Sequence, residues 1–361
     1  MKIQKIYSSI ITIIMLFCLT SISSSQGIFE ALANGMLKSQ NYGRPFISQI
    51  HSSISKVEIG YNKSYDEYNL QEESKRFDRP VVEVHIGYEA SVFATNWGGT
   101  ADKPKWGFAM TLPMSVHILE DMFEPVTAAV INTDYRFGSP KLLAIRYFEG
   151  DGFFKNISMS WLPMFHECTH LGDEIIIYRK DADFPITRIN VSYEYTEFQL
   201  TINDPDGTFD NNHSLRIGLA YRISSRGYGW FDIEADALAD KDYTIPESEQ
   251  RAEYYAEYQF QRTEGFLASK RAQNVFSIEA RHRVRYGYPI YMKEEDDWAV
   301  KEINETMMWT VNAYLGYRFY PKSGGNSLGL FLHFYKGLNP YGQLRNYPNY
   351  GFLGFSLTYE S

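Results

Sequence analysis

Residues 166–174 read His166-Glu167-Cys168-Thr169-His170-Leu171-Gly172-Asp173-Glu174, gathering two of the eight histidines, one of two cysteines and three carboxylates. His-Glu-x-x-His is a zinc-hydrolase spacing: on a helix the histidines lie one turn apart and bind the ion while the glutamate activates water. Gly172 follows too soon for that helix to continue, and Ile175-Ile176-Ile177-Tyr178 reads as strand. On a strand, at about 3.3 Å per residue, His166 and His170 stand roughly 13 Å apart and cannot share one ion. They are therefore weak metal candidates, and no metal or other cofactor is expected. A second chemistry is ester hydrolysis, with Ser158 or Ser160 as nucleophile, His170 or His166 as base and Asp173 or Glu174 as its orienting acid. The plain structural alternative is that the two acids hydrogen-bond the histidines and lock a turn.

The elements that must position these residues are strands. From Trp309 to Phe319 the apolar residues Trp309, Val311, Ala313, Leu315, Tyr317 and Phe319 alternate with mostly small or polar ones, which gives a strand one apolar and one polar face. The dyad recurs at Leu353–Tyr359, Leu328–Phe334, Phe276–Tyr286 (broken at His282), Tyr254–Phe260, Phe231–Ala237, Leu215–Ile223 and Ile189–Tyr195. Less regular candidates cover 82–95, 106–117, 127–137, 141–149, 155–164 and 173–180. Bacterial barrels favour even strand numbers, so the expectation is an all-β, antiparallel, up-and-down transmembrane barrel of about 12 strands, with 14 as the alternative. With the C-terminus in the periplasm, 336–349, 289–307 and 203–213 are expected as outer loops, and 321–326 and 224–227 as inner turns. The same counting places 164–172 at the outer rim.

The ends and the composition agree. Lys2 and Lys5 precede an apolar run from Ile10 to Leu19 and then Ser21-Ile22-Ser23-Ser24-Ser25-Gln26, the plan of a secretory signal peptide cut after Ser25. Phe17 is too bulky for a lipidation motif at Cys18. Cys168 is then alone and forms no internal disulfide. The expected domains are a signal peptide at 1–25, an N-terminal periplasmic extension at 26–80 with one short strand at Lys56–Tyr61, and the barrel at 81–361. A net charge of −9 argues against nucleic-acid binding. An aromatic content of 16% suits aromatic girdles at two membrane interfaces. The expected partners are outer-membrane lipids and the barrel-assembly machinery, and the expected location is the bacterial outer membrane.

If the apolar rows face lipid, the lumen holds Asp232, Glu234, Asp236, Glu253 and Glu257 against Arg281, Arg283 and Arg285. Neighbouring rows of opposite sign pair and fill the interior. A bore of about 12 strands filled with long side chains leaves no room for a general porin.

At His166, His170, Leu171, Gly172, Asp173 and Glu174 the chain resembles an uncharacterised bacterial barrel family, domain of unknown function 1207. That family has Ser-rich residues where this chain carries Glu167, Cys168 and Thr169, so the glutamate of the zinc pattern is not one of its features. Asn339-Pro340-Tyr341-Gly342-Gln343-Leu344-Arg345-Asn346 resembles the family's segment before the final strand. The resemblance implies an outer-membrane barrel and no particular activity. The sequence thus points to an integral outer-membrane barrel with a polar, largely filled lumen. A lipid or ester hydrolase and a narrow solute channel stand as alternatives.

Overall fold

The computed structural model describes residues 44–63, 79–100, 103–121, 129–149, 153–171, 188–189, 192–205, 212–224, 230–231, 250–263, 272–285, 288–294, 297–319, 327–342 and 350–360. The wall strands are β1 (Ser55–Lys63), β2 (Arg79–Thr100), β3 (Lys103–Asp121), β4 in two collinear pieces (Ala129–Gly138 and Lys141–Tyr147) and β5 (Asn156–Leu171). They continue as β6 (Ser192–Ile202), β7 (Asn212–Ser224), β8 (Ala252–Arg262), β9 (Ala272–Arg285), β10 (Thr306–Phe319), β11 (Ser327–Gly337) and β12 (Tyr350–Glu360). Each pairs antiparallel with its sequence neighbours, and β1 pairs with β12, from Ser55 opposite Tyr359 to Lys63 opposite Gly351. The result is a closed, twelve-stranded antiparallel barrel. Closure pairs every wall strand on both sides and leaves no open edge.

The alternation seen in the sequence becomes an inside and an outside. Along β12, Leu353, Phe355, Leu357 and Tyr359 are exposed while Phe352, Ser356, Thr358 and Glu360 are buried. Trp309 and Leu315 of β10 point outward at 65% and 59% exposure, and Thr310, Asn312, Tyr314 and Arg318 point inward. A soluble fold would invert this arrangement.

Several expectations require correction. Ser55–Lys63, assigned by sequence to a periplasmic extension, is the first wall strand. Residues 44–54, from the same supposed extension, thread the lumen. The sequence placed a wall strand at Phe231–Ala237, but β7 pairs directly with β8, Tyr221 opposite Ala252, with no wall strand between them. Of that segment only Phe231 is described, and Trp230–Phe231 pairs with Arg188–Ile189 apart from the wall. Counting it as a strand reversed the loop phase upstream. Residues 203–211 therefore lie at the same end as the C-terminus and 225–251 at the opposite end. The connections 64–78, 122–128, 172–191, 225–251, 286–305 and 338–349 share that opposite end, and they are mostly longer than those around the C-terminus. Tyr193 and Tyr195 also depart from the outward rule, each 4% exposed on the lumen side. The signal segment, 26–43 and 173–180 lie outside the described residues.

Prolines interrupt two neighbouring strands. Pro140 lacks the N–H needed to continue the ladder and separates the two pieces of β4. Opposite it, Pro163 lies in a bulge where the β5–β6 register shifts between Leu162 and Phe165.

Candidate functional site

The bulge decides the fate of the histidine-rich stretch. Before it, Ser158 and Ser160 of β5 face the lumen, where Ser158 donates to Asp204 Oδ2 at 2.7 Å and Ser160 to Gln199 Oε1 at 2.9 Å. After it, Phe165, Glu167 and Thr169 face inward, while His166, Cys168 and His170 face outward near the end with the long connections. Strict alternation would have put the serines and the histidines on one face. The inserted residue separates them across the wall.

Neither chemistry read from the motif is therefore assembled there. Glu167, 1% exposed, binds Arg136 inside the barrel, on the opposite face from His166 and His170. His166 Nδ1 lies 3.2 Å from Glu194 Oε1, and its ring is 5.0 Å from Phe137. His170 packs edge-on to Tyr135 at 5.8 Å. Among the described residues, the histidine–carboxylate contact is with a neighbouring strand. Asp173 and Glu174 lie outside the described residues.

The lumen is filled by a charge network. Arg281, fully buried, donates to Glu279 Oε1 at 2.5 Å, reaches Glu197 and Glu253 at 4.0 Å and lies 4.0 Å from the Tyr255 ring centre. Gly218 makes room for that ring, since a Cβ there would sit 2.0 Å from Tyr255 Cζ. Glu257 pairs with Arg216 at 3.3 Å. Arg283 donates to Tyr335 Oη at 3.1 Å and to the carbonyls of Leu338 and Asn339. Arg285 is also inside, 4% exposed. Of the expected network, Glu253, Glu257, Arg281, Arg283 and Arg285 are in the lumen. Asp232, Glu234 and Asp236 lie outside the described residues. The sequence reading missed Glu279, Glu197, Arg216, Arg136 and Glu58. The first lies in the same inward row as the arginines and was legible as a partner.

Residues 44–54 thread this network as a plug. Ile47 N donates to Gln259, Ser48 N to Ser277 and Ile50 N to Glu279 Oε2, at 3.1, 3.1 and 2.7 Å. Asn312 Nδ2 donates to the Ser48 carbonyl at 2.7 Å. The plug's backbone polar groups, which lack a ladder of their own, thus find partners on the wall.

Above the plug lies a polar chamber. Residues 338–342 cover it from the end with the long connections: Gly342 N donates to Asp134 at 3.1 Å, and a Cβ at Gly342 would sit 2.2 Å from Thr169 Cγ2. Inside, Glu58 of β1 and Glu83 of β2 are cross-strand partners, as are Lys56 and His85. Tyr314 donates to Glu58 Oε1 at 3.0 Å, His333 Nδ1 lies 3.1 Å from the same oxygen, and Tyr350 donates to Glu83 Oε1 at 3.0 Å. His85 Nε2 is 3.5 Å from Glu58 Oε2 and 3.7 Å from Glu83 Oε2. The chamber is a cavity of about 20 Å³. One water needs about 10–15 Å³, so it suits a water or an ion rather than an organic substrate. This group was not singled out from sequence, because β1, which carries Lys56 and Glu58, was read as part of a periplasmic extension, and Tyr314, His333 and Tyr350 lie more than 200 positions further along the chain.

No family model matches the chain, and no curated protein matches it in sequence. Among solved structures, it is similar to outer membrane phospholipase A from Escherichia coli, 9% identical over 92% of this chain and 98% of that one, with a TM-score of 0.41. The Salmonella typhi outer membrane phospholipase dimer with bound calcium is 11% identical over 91% and 97%, with a TM-score of 0.42. The translocator domain of the autotransporter NalP from Neisseria meningitidis is 10% identical over 85% and 86%, with a TM-score of 0.37.

Proposed function

We propose that the protein is an integral outer-membrane barrel with a sealed lumen, working through its filled interior and its rim rather than as an open pore. The observation that carries this reading is the plug: residues 46–54 sit inside a closed barrel whose outer surface is apolar, with Phe46 and Ser48 at 0% exposure. An exposed row such as Leu328, Leu330, Leu332 and Phe334 is costly in water and favourable against lipid tails. Among the described residues, three cavities inside the barrel, of about 20 to 30 Å³ each, are of a size for water or an ion. Membership in the family resembled at His166–Glu174 and Asn339–Asn346 belongs to the same proposal, as does export by the N-terminal segment. The separation of Ser158 and Ser160 from His166 and His170 argues against hydrolysis by those residues.

The test is reconstitution of the refolded barrel in planar bilayers. Membrane insertion without resolved conductance steps at neutral pH is expected. Steady stepwise conductance from the intact chain would overturn the sealed-lumen reading.

A further inference from the structure

We propose that Glu58, Glu83 and His85 form a binding site for a late first-row divalent metal ion inside the barrel. The inference concerns the chamber described above and rests on the sealed-lumen reading only for how the ion enters. One donor atom from each of the three residues falls within 4.8 Å of the others, and all three residues are buried. Tetrahedral coordination at about 2.1 Å places neighbouring donor atoms about 3.4 Å apart. The two histidine–carboxylate separations, 3.5 and 3.7 Å, need only small movement to reach it.

Two further observations point to a cation. His85 is 8% exposed, and neither of its ring nitrogens has a hydrogen-bond partner. Burial of a polar group without such a partner is costly. Glu58 Oε2, the oxygen nearer His85, likewise lacks a hydrogen-bond donor. Moreover, Glu58 and Glu83 sit directly opposite one another on paired strands, where like charges destabilise the sheet. Lys56 Nζ is 3.8 Å from Glu58 Oε2 and offsets one of the two carboxylates. A cation bound between the two carboxylates relieves the repulsion that remains between them.

The surroundings are built to hold the ligands rather than to join them. Tyr314 and His333 occupy the side of Glu58 Oε1, leaving Oε2 turned to the other two residues. Tyr350 fixes Glu83 through Oε1. His333 is itself oriented by Asn312, whose oxygen lies 2.7 Å from Nε2. His117 accepts from Arg136 through Nδ1 at 2.7 Å and lies tilted against His85, ring centres 4.1 Å apart, so it supports the ligand ring. Such partners tune affinity by orienting the ligands. A donor set of one imidazole and two carboxylates selects zinc-like ions over calcium, which requires more oxygens. The ion enters during folding or past residues 338–342.

The test uses the full-length barrel, refolded in detergent, stripped with chelator, and refolded again with zinc, cobalt or calcium. One zinc per chain after desalting is expected, together with the intense visible absorption of tetrahedral cobalt, and no retained calcium. His85→Ala should lose the zinc, Glu83→Gln should weaken it by at least about tenfold, and His170→Ala on the outer rim should leave it unchanged. Absence of zinc from the folded wild type would overturn the proposal, as would equal retention by His85→Ala. If His85→Ala does not fold, the cobalt spectrum of the wild type and the Glu83→Gln affinity decide the matter. A barrel that conducts yet holds zinc would reject the sealed lumen and keep the site, while a silent barrel without zinc would do the reverse.

Discussion

Arg281 has no exposed surface, and a charge so placed is tolerable only because carboxylates and a ring surround it. Removing one partner from a buried ion group leaves an uncompensated charge, at a cost of about 3–5 kcal/mol. Arg281→Met should therefore destabilise the refolded barrel by that amount in urea titrations, since it strands Glu279, Glu197 and Glu253 together. Glu279→Gln should cost less, because the amide still meets Arg281 and the arginine keeps its contacts with Glu197 and Glu253. Equal losses from the two variants would mean that the network is not organised around the arginine. At this scale His282, which breaks its strand's apolar row, also finds its reason. It stacks on Trp309 at 4.8 Å near the long-connection end, where amphipathic rings suit a membrane interface.

Among the elements, β10 gives the sharpest test of which face meets lipid. Leu315 lies mid-strand and Trp309 toward the rim, both pointing outward. An arginine on the lipid face costs about 2–4 kcal/mol at the bilayer midplane and about 0–1 kcal/mol near the interfaces. Leu315→Arg should thus be distinctly more damaging than Trp309→Arg when folding is measured into lipid vesicles, and the reverse order would refute the assigned depth. The plug makes a separate prediction. Deleting residues 44–54 removes the partners of Gln259, Ser277, Glu279 and Asn312 and opens space along the axis. Discrete conductance steps should appear in planar bilayers for the deletion variant alone. Silence from a folded deletion variant would show that the wall's own charges suffice to close the lumen.

For the whole molecule, closure of β1 on β12 joins the two ends of the barrel sequence. Wall formation therefore waits for the last strand, and contacts of such separation favour slow folding. The protein should fractionate with outer membranes and migrate on gels as two forms, compact before boiling and slower after it. Recovery as a soluble periplasmic species would defeat the membrane assignment. An epitope inserted within 225–251, at the long-connection end, should be accessible on intact cells, whereas one within 320–326 should require permeabilisation.

Alternation in the chain was enough to read the class of the fold and which residues of the later strands face outward; the twelve strands preferred over fourteen agree in number, although that count included Phe231–Ala237 and left out Ser55–Lys63. The reason is that period-two alternation is local: each strand from β8 to β12 carries its own inside–outside code in consecutive residues. It also placed Glu253, Glu257 and three arginines in the lumen, because they lie on the polar side of that code. The remaining features depend on pairing between distant segments. A bulge at Pro163 turns His166 and His170 away from Ser158 and Ser160, and no count of spacing registers an inserted residue. Phe231–Ala237 carries the same dyad as a wall strand, yet β7 and β8 already pair without it. The plug and the chamber at Glu58, Glu83 and His85 arise from pairings such as Ile50 with Glu279 and Glu58 with His333, each more than 200 positions apart in the chain. Such contacts are set by barrel closure and bear no signature in any local pattern.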